Sequence, residues 1–155
     1  MKIIASKYLT TLHKESIYQL WNNEYPQNLC YNTLLEFEEY LMDLSEQKHY
    51  LLINMEEIMV AWAFTFKRDA EKWFAIIVSS SFHNKGYGSL LLNEIKYEET
   101  QLVGWVVDHE IYSKANGDKY RSPLGFYSKH HFNILANNRL ETEKISAVKI
   151  EWKKV

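Results

Sequence analysis

Cysteine is nearly absent from the chain. Cys30 is the only one, so no internal disulfide can form and no cysteine-based zinc site can be assembled. A reducing compartment fits this composition, and a cytoplasmic location is expected. Long apolar runs are also missing: the longest, Ile58 to Phe64, falls far short of the ~20 residues a spanning helix requires. The first residues, Met1-Lys2-Ile3-Ile4-Ala5-Ser6-Lys7, lack the apolar stretch of a signal peptide, so no membrane association is expected. Neither charge sign dominates. Eighteen basic against twenty acidic side chains leave a net charge of −2, which offers no footprint to a polyanion, and nucleic acid is not an expected partner. A phosphate-bearing small molecule stays open, because backbone amides bind phosphate with little help from net charge. Only two prolines and five glycines occur, and no repeat, low-complexity tract or linker interrupts the chain. Residues 1–155 therefore read as one domain.

Against these absences stands an abundance of aromatic residues. They make up 15% of the chain, with five Trp and eleven Tyr, enough to build a core and wall a cleft. Lys2 to Leu9 reads as a strand. Thr10-Thr11 then caps a helix to about Asn22, with Leu12, Ile17, Leu20 and Trp21 on its apolar face. Asn23 to Asn32 is a loop. Thr33 opens a second helix to about Gln47, apolar at Leu34, Phe37, Leu41 and Leu44 and acidic at Glu36, Glu39, Asp43 and Glu46.

His49–Asn54, Met59–Arg68 and Lys72–Ser79 form a three-strand meander turning at Met55-Glu56-Glu57 and Asp69-Ala70-Glu71. Gly86–Glu98 is helical, and Gln101–Val107 reads as a buried parallel strand reached by a right-handed crossover. A long polar loop, Asp108 to Arg121, precedes a short helix for which Ser122 is the N-cap and Pro123 the first position. Phe132–Ala136 and Ser146–Lys153 close the chain as strands around a polar turn at Asn137-Asn138. The order β-α-α-β-β-β-α-β-α-β-β is that of an α/β domain with a mixed sheet.

The segment Val78-Ser79-Ser80-Ser81-Phe82-His83-Asn84-Lys85-Gly86-Tyr87-Gly88-Ser89 carries an apolar strand through a turn into a helix. A pyrophosphate can dock there. Unpaired N–H groups and partial positive charge meet at the helix start, glycines at 86 and 88 let an anion approach, and Lys85 can add an ion pair. Two close glycines alone serve as often as a tight turn. A Rossmann site wants a third glycine and an early strand, and a P-loop wants G-K-S/T; neither is present.

This segment resembles the acetyl-CoA signature of the GNAT superfamily, a strand ending in a bulge followed by R/Q-x-x-G-x-G/A opening a helix. His83-Asn84-Lys85-Gly86-Tyr87-Gly88 matches it, with His83 where the family usually has Arg or Gln. Leu124-Gly125-Phe126-Tyr127-Ser128-Lys129-His130-His131-Phe132 is similar to the family's late Y-x-x-x-G-F block, with His131 at the usual Gly. The resemblance spans essentially the whole chain. It implies a mostly antiparallel sheet with one splayed parallel pair, flanked by helices, and acetyl transfer from acetyl-CoA to a small-molecule or peptide amine. Acetyl-CoA is expected between the Lys72–Ser79 and Gln101–Val107 strands, on Val78, Ser80, His83, Asn84, Lys85, Gly86, Tyr87, Gly88 and Ser89.

By the same resemblance Tyr127 is the donor to the departing thiolate. The strand Trp73 to Val78 holds no carboxylate, which leaves Asp108 and His109 as the nearest candidate base, and Glu24, Tyr25 and Tyr31 as candidates for gripping a cationic amine. The adjacent pair His130-His131 and the scattered His13 and His49 lack metal-ligand spacing, so no catalytic metal is expected. The resemblance leaves room for a homodimer. Alternatives are a non-catalytic CoA-binding or sensing module, an acetyltransferase for a protein terminus or charged tRNA, and an α/β interaction domain in which both motifs are accidental.

Overall fold

Eleven regular elements follow one another in the expected order: β1 (Lys2–Ser6), α1 (Thr11–Glu24), α2 (Leu34–Met42), β2 (Ser45–Ile53), β3 (Met59–Arg68), β4 (Glu71–Val78), α3 (Tyr87–Glu98), β5 (Gln101–Val106), α4 (Leu124–Lys129), β6 (Asn133–Glu141) and β7 (Ser146–Lys153). The structure is a computed structural model and describes residues 1–155. The strands form one sheet in the order β1-β2-β3-β4-β5-β7-β6. Every neighbouring pair is antiparallel except β4 and β5.

The two-residue period of the strands sorts the core into two layers. On one face Trp62, Phe64 and Phe66 of β3 join Trp73 and Ile77 of β4 and Val103 of β5, covered by Ile17, Leu20 and Trp21 of α1 and Phe37 and Leu41 of α2. On the other face Ala61, Ala63, Phe74, Leu102 and Val106 meet Leu91, Leu92 and Ile95 of α3 and Tyr127 of α4. Residues 60–66 of β3 are all buried because both faces are covered, which is why the strand reads as an unbroken apolar run as far as Phe64.

Three expectations change in the structure. The second helix stops at Met42, because the side-chain amide of Gln47 donates to the carbonyls of Leu41 and Leu44, and Ser45–Gln47 turn into β2 through Glu46 at φ 51°. Asn137 and Asn138 do not turn the chain. They are absorbed by a register shift within β6, and the hairpin bends at Thr142–Ile145, where the Thr142 hydroxyl accepts from the N–H groups of Lys144 and Ile145 at 3.2 and 3.1 Å. Pro123 is the N-cap of α4, while the Ser122 hydroxyl accepts from Leu124 N–H at 3.3 Å and donates to the Val107 carbonyl at 2.6 Å. In addition, β4 ends without a bulge, its register with β3 running unbroken from Arg68↔Glu71 to Ala61↔Val78.

His49 lies buried in β2. Its Nδ1 accepts from the Trp62 indole N–H at 3.1 Å, so the proton sits on Nε2 and is donated to Gln47 Oε1 at 3.0 Å. Burial lowers its pKa from 6.5 to about 4. Between those values the unfolded chain takes up a proton that the folded chain refuses. Stability is therefore lost as pH falls from 6.5 toward 4, by up to about 3 kcal/mol, and the loss levels off below. Melting temperatures followed by circular dichroism from pH 7 to 4.5 are expected to fall more steeply for the native protein than for His49→Gln.

Candidate functional site

A gap opens where the two parallel strands part. β4 and β5 share one register pair, Trp73↔Val103, while β3 keeps pairing with β4 as far as Val78. Ser79 N–H donates to the Val60 carbonyl at 2.9 Å. Antiparallel alternation then turns the N–H and C=O of Ile76 and Val78 away from β3 and toward the gap. One of these groups is already paired: His83 Nε2 lies 2.8 Å from the Val78 carbonyl and donates to it. The His83 side chain thus holds the turn that follows β4.

That turn passes through Asn84 at φ 61° and Gly86 at φ 84°, both left-handed. A Cβ at residue 86 would meet nothing within 4 Å, so glycine is required there for its conformation and not for space. Gly86 is also the N-cap of α3 and supplies no side-chain cap, and the first turn of the helix contains no acidic residue. The N–H groups of Tyr87, Gly88 and Ser89 therefore point outward without helical partners, at the positive end of the helix dipole. Lys85 extends over the Phe82 ring at 5.6 Å, Gly88 faces Phe126, and the Ser89 hydroxyl pairs with His130 Nε2 at 2.9 Å.

Across the gap, α4 presents Tyr127. The helix ends in a Schellman motif: Phe132 N–H bonds the Tyr127 carbonyl at 3.1 Å, His131 N–H bonds the Ser128 carbonyl at 3.2 Å, and His131 takes the left-handed conformation at φ 67°. The rings of Phe74, Phe126 and Phe132 surround Tyr127, which is 6% exposed. Tyr127 lines a cavity, and its hydroxyl makes no hydrogen bond within the protein. Burial, with Tyr120 nearby, holds its pKa well above the ordinary phenol value, so it stays a neutral donor.

The cavity has a volume of about 490 Å³ and runs along the α1/α2 face of the sheet into the gap. Tyr25, Tyr31, Tyr40, Tyr120 and Tyr127 all line it, between Trp21, Trp73 and Trp105. Burial raises all five phenols, Tyr120 to about 12, and Tyr25 is raised further by its tyrosine neighbours. Tyr25 and Tyr31, expected to grip a cationic amine, both line the cavity. Tyr40, Tyr120 and Arg68 were not anticipated. Arg68 shares the strand parity of Phe64 and Phe66, which is the signal that points to it, and Tyr120 is the last aromatic of an otherwise polar loop.

Glu24 is occupied elsewhere. Its carboxylate accepts from Ser80 N–H at 2.9 Å, from the Ser80 hydroxyl at 2.5 Å and from Lys114 at 2.9 Å, with the Glu24 and Lys114 side chains only 11% and 12% exposed. Burial pushes the carboxyl up, but the Ser80 donors and the Lys114 charge outweigh it and hold it below its ordinary value. The Ser80 amide, expected to hold acetyl-CoA, is taken by this contact. The tie joins the end of α1, the turn after β4 and the 108–121 loop, which also pairs Lys114 with Pro26 and accepts Gln27 N–H on the Ser113 carbonyl at 2.8 Å.

Asp108 and His109 stand past the end of β5 but do not line the cavity. The Asp108 carboxylate is gripped by both Arg139 terminal nitrogens at 2.8 and 3.1 Å, which lowers its pKa and makes it a poor proton acceptor. His109 Nδ1 accepts from Ile111 N–H at 3.2 Å, with its ring edge-on to Tyr112.

No protein-family model and no curated protein matches the sequence. Solved structures do. The chain has the fold of the GNAT N-acetyltransferases, and the likeness covers its whole length. It is similar to an aminoglycoside 6'-N-acetyltransferase complexed with coenzyme A, at a TM-score of 0.74 and 14% identity over 100% of this chain and 98% of that one. A GNAT superfamily phosphinothricin acetyltransferase from Sinorhizobium meliloti in complex with AcCoA gives a TM-score of 0.67 and 9% identity over 99% and 89%. Spermidine/spermine N-acetyltransferase from Vibrio cholerae gives 0.65 and 12% over 98% and 91%.

Removing the Glu24 carboxylate leaves Lys114 half-buried without a counter-charge. Glu24→Ala is expected to cost about 2 kcal/mol in urea unfolding, and to speed proteolytic cleavage between residues 108 and 121.

Proposed function

We propose that the protein is an acetyl-CoA-dependent N-acetyltransferase acting by direct attack of an amine on the thioester. The observation that carries this reading is the placement of one gap between an uncapped helix N-terminus and a buried, neutral tyrosine. The orphan N–H groups of Tyr87, Gly88 and Ser89 suit the diphosphate of coenzyme A. The Ile76 and Val78 edge of β4 suits the amides of its pantetheine arm, and the depth of the gap brings the thioester to Tyr127. The solved likenesses bound to coenzyme A and AcCoA support the assignment.

The amine nitrogen attacks the carbonyl carbon, the new C–N bond forms, and the C–S bond breaks with its electron pair on sulfur. A main-chain N–H of Ile76 or Val78 stabilises the oxygen as charge develops. Tyr127 donates a hydrogen bond to the departing thiolate. A thiol near ~8.5 is far more acidic than this phenol, so the proton that finally reaches sulfur is the one released by the nitrogen.

The attacking amine must be neutral. Glu24 is engaged by Ser80 and Lys114, Asp108 by Arg139, and the sole carboxylate lining the cavity is Asp69 on the exposed β3–β4 turn. Desolvation among aromatic rings favours the uncharged amine, which sheds its proton to water on entry. A second reading, a CoA-binding module without turnover, draws on the same lack of a buried base.

Coenzyme A at 100 times its dissociation constant is expected to stabilise the protein by about 2.7 kcal/mol in thermal unfolding, and thiol release from acetyl-CoA should respond to added amines. No shift with coenzyme A removes the assignment; a shift without turnover for any amine favours the module. Tyr127→Phe is expected to lower kcat about 100-fold with little change in KM for acetyl-CoA. The kcat/KM for the amine should climb about tenfold per pH unit between pH 6 and 8 without a histidine-like inflection, as expected when the neutral amine is the reactant.

A further inference from the structure

The acceptor end of the cavity is built for one kind of amine, an inference that rests on the acetyltransferase reading. Its walls are indole, phenol and phenyl rings, and Asp69 at the rim is its only carboxylate. A polycation such as a polyamine or an aminoglycoside carries several ammonium groups, each of which needs an anionic or well-hydrated partner. Glu24, the nearest buried carboxylate of α1, is held by Lys114 and Ser80. The cavity therefore lacks the charges such acceptors require.

Its one cation lies at the end away from the gap. Arg68, paired with Glu71 at the β3–β4 turn, lays its guanidinium over the rings of Trp73 at 4.5 Å and Phe66 at 5.2 Å. It forms no ion pair and no side-chain hydrogen bond, so its fork of donors is free at the exposed rim where it lines the cavity. From Trp73, under the guanidinium, to Ile76, where the gap lies open, the strand rises three residues, roughly 10 Å. Between these ends the slot is floored by flat rings, Trp73 and Trp105 lying 5.4 Å apart. The phenols of Tyr25, Tyr31, Tyr40 and Tyr120 edge it.

We propose that the acceptor is a primary monoamine on a flat aryl body whose far end carries a carboxylate, the amine lying at the gap beside Tyr127 and the carboxylate on Arg68. The ring stacks in the slot, where offset and edge contacts with aromatic walls are favourable. The guanidinium takes the carboxylate as a two-point pair. The amine stands as far from the Arg68 charge as the slot allows, which favours its neutral, reactive form. Acetylation forms one C–N bond and breaks the thioester C–S bond, leaving the carboxylate untouched.

The test compares 4-(2-aminoethyl)benzoate, 2-phenylethylamine, spermidine and kanamycin in thiol release from acetyl-CoA, on protein first assayed for a thermal shift with coenzyme A. The expected order has the aminoethylbenzoate about tenfold above phenylethylamine in kcat/KM, and both above the two polycations. Arg68→Met, which keeps the stem over the rings, should bring the ratio of the two aryl amines to about one, and Arg68→Lys should restore part of it. Quenching of tryptophan fluorescence by the aminoethylbenzoate reads binding apart from turnover, and Arg68→Met should weaken it about tenfold. Faster turnover of spermidine or kanamycin, or an aryl-amine ratio unmoved by Arg68→Met, overturns the proposal while leaving the acetyltransferase reading in place. No shift with coenzyme A overturns that reading and this one together.

Discussion

Two parallel strands that meet at one point and then part are the constraint on which the site depends. β4 belongs to an antiparallel meander through β3, and β5 to an antiparallel pair with β7. Each half has its own partners, so the join between them need not be complete. Polar side chains fasten its closed end: Lys149 to Glu71 at 2.8 Å, Lys72 to Glu99 at 3.5 Å, and Gln101 Oε1 to Lys72 N–H at 3.3 Å. Gly104 keeps β5 close at this end, because a Cβ there would come within 3.2 Å of both the ring and the carbonyl of Phe74. Beyond it, main-chain donors and acceptors of β4 lose their strand partner. Such groups are costly to leave unpaired away from water, and an extended ligand with amides of its own is a natural complement.

The surroundings of the gap give it its shape. Trp62 and Phe64 stack at 4.4 Å, and Phe66 continues the row at 5.4 Å, forming a rigid floor beneath α1 and α2. Small residues at 61 and 63 on the opposite face let α3 lie close to the sheet, which aims its N-terminus at the end of β4. The Glu24 contact then joins three pieces of chain that have no reason to be rigid alone. By engaging the Glu24 carboxylate near the gap, it leaves the cavity with phenols, the Arg68 guanidinium and the rim carboxylate of Asp69 as its polar side chains.

The order of elements was legible because hydrophobic periodicity is strong where a strand is covered on both sides, as in β3, or where a helix shows one face, as in α3. It failed where polar residues continue a strand. Asn137 and Asn138 look like a turn because β6 is an edge strand with mostly exposed positions, and nothing local distinguishes an edge bulge from a bend. Ser45–Gln47 look helical because the residue that ends the helix, Gln47, acts through its side chain on carbonyls behind it. The turn into α3 was legible from Gly86 and Gly88. The cavity was not. Tyr25, Tyr40, Tyr120 and Tyr127 come from four segments and converge through the fold alone. The partners of Glu24 lie 56 and 90 residues away, beyond any local pattern.

His131 shows how local cost and functional position meet. A left-handed histidine is disfavoured by about 1 kcal/mol relative to glycine, and the Schellman motif it completes would form more readily with glycine. The motif nevertheless joins the Phe132 N–H to the carbonyl of Tyr127 itself, so the helix end and the candidate donor are one unit. His130, the cap before it, receives Ser89 on its ring and Lys96 on its carbonyl, both from α3. The end of α4 is thereby bonded to the same helix whose first turn faces the gap. The first turn of α3 is thus linked to Tyr127 through Ser89 and His130 by two hydrogen bonds. On the proposed reading, the two ends of a bound coenzyme A meet one connected piece of structure.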